Sequence, residues 1–320
     1  MRRGYVVKSE VVSIGIDIGG TNIKAVCVDD AGVVLERLNA PSCDDVDQLT
    51  KRVIDIVNRL DERGESDDGV RRVSVGISSP GLVARDHRSI RWMRGRLEAV
   101  EGLDWSEVLG RDVFVLNDAH AATMGEAWVG AASDRDDVVL LTLGTGVGGG
   151  VIMNGRLLEG AIGRAGHLGH ICMDVDGERD IVKMRGSFED LIGDHTVEVR
   201  TGYVSTAALV TAVESGERGA CEHWERWLKV LACGVASLIN VFDPEVVVIG
   251  GGISKAGRLL FDGLAEQMDE VEWRPLEDEK AEMNGGSCVE IMAAELGDMA
   301  GAVGVARFAM LQCCQVEKKS

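Results

Sequence analysis

The chain is predicted to be an α/β protein, and two observations carry that reading. Apolar runs rich in β-branched residues alternate with stretches whose apolar positions recur at helical spacing. Twice, moreover, a β-type run empties into a glycine-threonine turn and resumes as another β-type run, at Asp17-Ile18-Gly19-Gly20-Thr21 and at Leu143-Gly144-Thr145-Gly146. A turn of this composition lets backbone N–H groups converge on phosphate oxygens, with the threonine hydroxyl as a further donor. One such turn is often no more than a tight hairpin. Two in equivalent strand settings can hold one polyphosphate from both sides. The length of 320 residues, 45% of them apolar, accommodates two ordinary domains or one large one.

Val11, Val12, Ile14 and Ile16 read as a buried strand with Asp17 at its carboxyl end. Beyond the turn, residues 23–28 and then Val33, Val34 and Leu35 extend it into a three-strand antiparallel meander, with Asp29-Asp30-Ala31-Gly32 as the second connection. Val46, Leu49, Val53, Ile56, Val57 and Leu60 have helical spacing, and the acidic stretch from Asp61 to Asp68 reads as a solvated loop. Val73, Val75 and Ile77 form a strand running into Ser78-Ser79-Pro80-Gly81, and residues 113–116 form the next, ending at Asn117-Asp118. A helix follows from Ala119 to Trp128. Residues 138–141 and 147–152 flank the second turn, with Asn154-Gly155 closing a hairpin. A long amphipathic helix is expected from Glu222 to Phe242, stopped by Asp243-Pro244. Residues 246–249 form a buried strand leading into Gly250-Gly251-Gly252, and a helix follows from Gly257 to Val271. The last helix, from Met299 to Leu311, is rich in small residues, and Cys313 to Ser320 reads as a frayed tail.

The 34 basic and 53 acidic side chains give a formal charge of −19, which opposes binding to nucleic acid or anionic lipid. No apolar stretch approaches the ~18 residues of a membrane span, and the basic start lacks the apolar core of a signal peptide. The eight cysteines show neither a disulfide ladder nor a repeated metal-ligand spacing, and read as thiols in a reducing cytoplasm.

Five segments carry a family resemblance: Asp17 to Lys24, Asn117-Asp118-Ala119, Leu143 to Gly150, Gly166-His167-Leu168-Gly169-His170, and Gly250-Gly251-Gly252-Ile253. In that order they resemble the ROK family of repressors and sugar kinases. The resemblance implies a two-domain actin-like ATPase (ribonuclease H-like) fold, with mixed sheets flanked by helices and a cleft between domains. It places an N-terminal lobe at 1–118 with the returning helix at 298–320, and a C-terminal lobe at 119–297. It further implies a cytoplasmic homodimer that uses ATP and Mg²⁺ to phosphorylate a hexose, glucose at C6 in the first instance. A kinase for an N-acylhexosamine or a rarer aldohexose, and a non-catalytic sugar-binding regulator, are the alternatives. A repressor would need a DNA-binding segment before the first turn, and only ten residues precede Val11 here.

The resemblance assigns the residues as follows. Asp118 matches the catalytic base, the group that accepts the proton of the attacking hydroxyl, while an Asn117-Asp118 pair capping the following helix is the local alternative. Asn117 matches a sugar-hydroxyl ligand, and Ser79, Pro80 and Gly81 resemble a loop bordering the sugar pocket or form an ordinary turn. Asp17 would orient Mg²⁺ through water, with Gly19, Gly20 and Thr21 approaching the nucleotide; a turn-forming aspartate is its other reading. Gly144, Thr145 and Gly146 would contact phosphates. Gly250, Gly251 and Gly252 would approach the adenosine or serve packing alone. Trp92 and Trp105 wall the pocket or fill the core.

Two departures fall on the sugar side. The family's Glu-x-Gly-His reads His167-Leu168-Gly169-His170 here, and an imidazole offers one donor and one acceptor where a carboxylate accepts from two hydroxyls. His120 likewise stands where the family often has asparagine. Gly186-Ser187-Phe188-Glu189 resembles Gly-Cys-x-Glu, which makes Glu189 the candidate sugar-gripping carboxylate or else a surface residue. The zinc-binding Cys-x-Cys-Gly-x-x-Gly-Cys run of many relatives aligns with Asp180 to Ser187, which has no cysteine, so no structural zinc is expected. The loop from Asp174 to Arg185 must then be held by packing or ion pairs.

Overall fold

The computed structural model describes residues 11–64, 72–274 and 289–317. They form two compact units. The first runs through Val129 and adds Gly160–Arg164 and the residues from Asp298 onward; the second comprises Gly130–Glu159 and Ala165–Gly297.

The first unit is built on a five-stranded sheet of β1 (Val11–Ile18), β2 (Asn22–Asp29), β3 (Val34–Pro41), β4 (Arg72–Ser79) and β7 (Val113–Asn117), in the order β3-β2-β1-β4-β7. β1, β2 and β3 form an antiparallel meander, and β4 and β7 continue it in parallel. Short strands β5 (Leu82–Val83) and β6 (Ile90–Trp92) form a separate ribbon. The register pairs Asp17 with Ser78, and Ser79 with Asn117. The carboxyl ends of the three parallel strands therefore share one edge, the edge where open α/β sheets bind ligands. Helix α1 (Val46–Gly64) covers one face through Leu49, Val53, Ile56, Val57 and Leu60. The helix runs on through Asp61 to Gly64, so the first part of the expected solvated loop is helical. Asp61 Oδ2 accepts from Arg111 Nη1, which secures it; residues 65–68 lie outside the described part. Trp105, at the start of α2 (Trp105–Leu109), is buried in this core, whereas Trp92 is partly exposed beneath the Arg94 guanidinium.

The final helix, α9 (Ala300–Glu317), closes the other face. It approaches the sheet backbone to backbone. A Cβ on Gly15 would lie 1.9 Å from the carbonyl oxygen of Ala302, and one on Gly76 2.3 Å from that of Val305. On the far side of α9, a Cβ on Gly304 would lie 1.7 Å from the carbonyl oxygen of Ala121 in α3 (Asp118–Val129). This three-layer contact explains why the compact first unit extends through α3 to Val129 rather than stopping at 118. The helix also continues past Leu311 to Glu317, where a frayed tail was expected; no glycine or proline interrupts residues 311–317.

The second unit repeats the topology. Its sheet comprises β8 (Val138–Leu143), β9 (Val147–Met153), β10 (Arg156–Leu157), β11 (Val246–Gly250) and β12 (Glu290–Ala293), ordered β10-β9-β8-β11-β12. Again an antiparallel meander is extended by two parallel strands. Between β10 and β11 lie α4 (Phe188–Ile192), α5 (Val197–Thr201), α6 (Thr206–Glu214) and α7 (Arg218–Phe242), and α8 (Arg258–Val271) follows β11. Helix α7 starts four residues before the expected Glu222 and ends at Asp243, whose φ of 45° breaks it. It fixes α4 firmly: a Cβ on Gly234 would touch the Phe188 ring at 2.4 Å, and Trp227 Nε1 donates to Ile192 O at 2.8 Å. No helix among the described residues is long and apolar enough to cross a membrane.

Gly15→Ala should lower unfolding free energy by about 1–3 kcal/mol in urea titrations, because the new methyl group meets backbone rather than a movable side chain. A loss below about 0.5 kcal/mol, the scatter of neutral surface substitutions, would contradict this packing.

Candidate functional site

The first unit gathers two carboxylates at its ligand edge. Asp17, at the end of β1, is half-buried, and its Oδ1 accepts from Ser78 Oγ at 2.7 Å. The first turn of α9 presses on it so closely that a Cβ on Gly301 would lie 2.9 Å from Asp17 Cγ. Burial pushes the Asp17 carboxyl up to about 6; the Ser78 hydrogen bond opposes the rise, the Asp118 charge adds to it, and Lys24 and Asp298 make smaller contributions of opposite sign. Burial also raises the Asp118 carboxyl, against the stabilising hydrogen bonds of the adjacent backbone and of Asn117. Both effects follow from removing a charge from water.

Asn117 is the N-cap of α3. Its Oδ1 accepts from Ala119 N at 3.0 Å and His120 N at 3.2 Å, while its Nδ2 donates to Gly81 O at 3.1 Å. Asp118 Oδ1 accepts from Ala119 N at 2.9 Å. The capping alternative is thus realised, chiefly by Asn117, and the same bonds tie the Ser79-Pro80-Gly81 loop to the start of α3. Ser79 Oγ is buried and has no hydrogen-bond partner among the described residues. In the first glycine turn, Gly19 N donates to Asn22 O at 3.0 Å; among the described residues no acceptor takes the N–H of Gly20 or Thr21.

The second unit builds its own turn differently. Gly144 N donates to Gly146 O at 3.0 Å, and Glu189 Oε2 accepts from Val147 N at 3.0 Å. Glu189 lies directly under Gly146, where a Cβ would come within 2.0 Å of the carboxylate. The candidate sugar carboxylate therefore has one oxygen committed to this turn. Gly251, with φ of 87°, packs on the end of β8, since a Cβ there would meet Leu143 O at 2.3 Å; a Cβ on Gly252 or Gly144 would meet open space. Packing accounts for Gly251 but not for its neighbour. His167 and His170 face one another in near-parallel planes, with ring centroids 6.3 Å apart.

A ROK family profile matches residues 13–311. The chain belongs to the ROK family. It is 33% identical to a glucokinase of Thermotoga maritima over 284 residues, 80% of this chain and 86% of the relative. It is 29% identical to the N-acetyl-D-glucosamine kinase of Vibrio cholerae, over 91% of this chain and 97% of that protein. Among solved structures, the Streptomyces griseus ROK glucokinase in complex with glucose and AMPPNP superposes with a TM-score of 0.73 at 28% identity, covering 94% of this chain and 99% of that one. The actin-like ATPase fold is that of the family, and the repeated strand order of the two sheets is its signature here.

Within this ROK chain, the segment aligned with the zinc-binding run is held by protein groups. The fully buried Asp180 side chain accepts from Val182 N at 3.0 Å and Met184 N at 2.7 Å through Oδ1, while its Oδ2 lies 3.6 Å from His170 Nδ1. Gly186 O accepts from Met173 N at 2.8 Å, and the φ of 53° at Gly186 brings its backbone onto Asp174. Asp180 escaped the sequence reading, because only the pairing in space gives a lone loop aspartate its partner. So did Arg96, whose side chain lies over the first turn: a Cβ on Gly20 would be 3.6 Å from Arg96 Cδ and 3.8 Å from its Nε. Its position in a loop far along the chain from Gly20 leaves no local signal.

The residues fit Mg²⁺ held in the open manner. Among the described residues no group of three or more His, Cys, Asp or Glu could enclose a metal ion. Mg²⁺ ordinarily retains waters and takes one or two carboxylates together with substrate phosphates. Asp17, a crowded half-buried carboxylate next to the first glycine turn, offers that kind of ligand, and a cation there would relieve its desolvation.

The sign of the Asp17 shift gives a stability test. With a native value of about 6 against 3.8 in the unfolded chain, the charge penalty on the native state is full above about pH 6 and is relieved as pH falls toward the unfolded value. Asp17→Asn keeps an acceptor for Ser78 and removes the charge. Thermal melts should show it more stable than the parent by a few degrees near pH 8, with the gain shrinking near pH 4.5. A variant no more stable than the parent near pH 8 would refute the assigned penalty.

Proposed function

We propose that the chain is an ATP-dependent sugar kinase that phosphorylates a hydroxyl of a hexose, glucose at C6 in the first instance. The observation that carries this is Asp118, a half-buried carboxyl at the end of β7 with its proton affinity raised by burial and one oxygen fixed by Ala119 N–H. A raised carboxyl is a stronger base once deprotonated, which suits it to accept the proton of the attacking hydroxyl. The hydroxyl oxygen then bonds to the γ-phosphorus as the bond to the bridging oxygen breaks and ADP departs.

Around that step, Ser79 supplies an uncommitted buried hydroxyl, and Pro80 and Gly81 shape its loop. Asn117 has one amide hydrogen left after binding Gly81 O and capping α3. His167, His170 and the remaining oxygen of Glu189 are assigned to sugar hydroxyls. The N–H groups of Gly19, Gly20 and Thr21, and of Gly144, Thr145 and Gly146, are assigned to nucleotide phosphate, and Gly250, Gly251 and Gly252 to the adenosine. Mg²⁺, when bound with the nucleotide, neutralises phosphate charge, with Asp17 orienting its water shell.

An N-acylhexosamine is the second reading. His167 in place of the usual glutamate favours it, since it exchanges a double acceptor for a donor-acceptor ring, and the Vibrio cholerae relative carries such a specificity in its name.

The test is ADP release with ATP across glucose, N-acetylglucosamine, mannose and other hexoses. Asp118→Asn should lower kcat by about 10²–10⁴ for the preferred sugar while calorimetric sugar affinity stays near that of the parent. Turnover insensitive to the substitution would remove the proposed base, and sugar binding without turnover by the parent would favour a regulator. The base works only when deprotonated, so kcat/KM should fall as pH falls, at a higher pH than an ordinary aspartate would give. An acid limb at the ordinary aspartate value, near ~3.9, would contradict the role.

A further inference from the structure

The turn at Gly144–Gly146 is gripped from behind by one short segment. Asp194 N donates to Gly144 O at 2.9 Å, and His195 N donates to Thr145 O at 2.9 Å. The His195 ring adds a second bond to the same oxygen, with Nδ1 at 2.7 Å from Thr145 O. The other ring nitrogen, Nε2, lies 3.0 Å from Asp190 Oδ1. Asp190 is itself fixed: its carbonyl accepts from Thr196 Oγ1 at 2.7 Å, and Thr196 Oγ1 accepts from Arg200 Nε at 2.9 Å. Gly193 makes the approach possible, since a Cβ there would meet both His195 Nδ1 and Thr145 O, at 2.8 and 2.9 Å.

Peptide planarity turns this grip into a direction. In a trans peptide the C=O and the following N–H point opposite ways. Holding the carbonyls of Gly144 and Thr145 toward residues 194 and 195 therefore turns the N–H groups of Thr145 and Gly146 away from them. Among the described residues no acceptor takes either N–H. These are the donors a phosphate would use.

We propose that His195, oriented by Asp190, is a positioning residue that holds the Thr145 carbonyl back so that the turn presents its N–H groups to nucleotide phosphate. The inference rests on the kinase reading and names a part of that site which the family motifs do not cover. The ring is held between two acceptors, Thr145 O at Nδ1 and the Asp190 carboxylate at Nε2, and the two contacts together fix its plane. Asp190, Asp194 and Glu189 on the same segment and Arg200 on α5 are the charged groups around it.

The experiment is calorimetric titration of the full chain with AMPPNP and Mg²⁺, with sugar titrations alongside. His195→Ala should weaken AMPPNP binding by about five- to tenfold, the loss of one hydrogen bond, with sugar affinity and melting temperature near those of the parent. His195→Asn places an amide donor where Nδ1 stood and should regain most of the affinity. In steady-state assays the KM for ATP should rise more than kcat falls. AMPPNP affinity unchanged in His195→Ala overturns the proposal, as does an equal loss of AMPPNP and sugar binding with a lowered melting temperature, the mark of a purely structural role. A parent chain that binds sugar but not AMPPNP overturns the kinase reading itself, a failure visible before any variant is made.

Discussion

The backbone-to-backbone seating of α9 on β1, β4 and α3 is the constraint on which the acidic edge depends. Carbonyl oxygens of α9 lie where a Cβ on Gly15 or Gly76 would stand, so the helix has one depth and one register against the sheet. That register brings the start of α9 against Asp17 and locks α3, and with it Asp118, to the same layer. A side chain larger than hydrogen at these contacts would have to move backbone, which close-packed interiors resist.

The consequence is electrostatic. β1, β4 and β7 run parallel, so Asp17, Ser78, Ser79, Asn117 and Asp118 are brought to one edge by strand direction alone. Two carboxylates are kept there short of water; burial raises both, and the Asp118 charge adds to the rise at Asp17. A protein selected only for stability would place neutral groups at such positions. A cation and a hydroxyl are the kinds of partner that stabilise such a crowded acidic pair. In the second unit, among the described residues, no aspartate stands at the carboxyl ends of β8 and β11. That edge instead has a glycine turn braced from behind by Glu189, Asp194 and His195, so the duplicated topology carries different chemistry in each copy.

Much of this was legible in the sequence. The β-branched runs and glycine turns gave the five strands of the first sheet and β8, β9 and β11 of the second, though not β12 (Glu290–Ala293), and the ordered motifs gave the family, because strand pattern and turn composition are local signals. What local pattern missed was set by contacts remote in sequence. Asp61 was read as loop, yet Arg111 draws it into α1. Trp92 and Trp105 looked equivalent, but only Trp105 is core. Gly251 and Gly252 looked alike as well, and only the proximity of Leu143 separates a packing glycine from an open one. Asn117 had its two readings side by side in the sequence; the structure gives the cap, with an amide hydrogen to spare. Arg96, Asp180 and His195 bear no motif at all and became visible only as neighbours of the turns and of His170.

The most direct measurement is a crystal structure of the chain with glucose, AMPPNP and Mg²⁺. The account predicts an Asp118 oxygen within about 2.6–3.2 Å of a sugar hydroxyl, Asp17 turned toward metal-bound water, and phosphate oxygens on the N–H groups of the glycine turns. A complex in which Asp118 bonds only to Ala119 N–H, with the sugar held elsewhere and no phosphate at either turn, would contradict it.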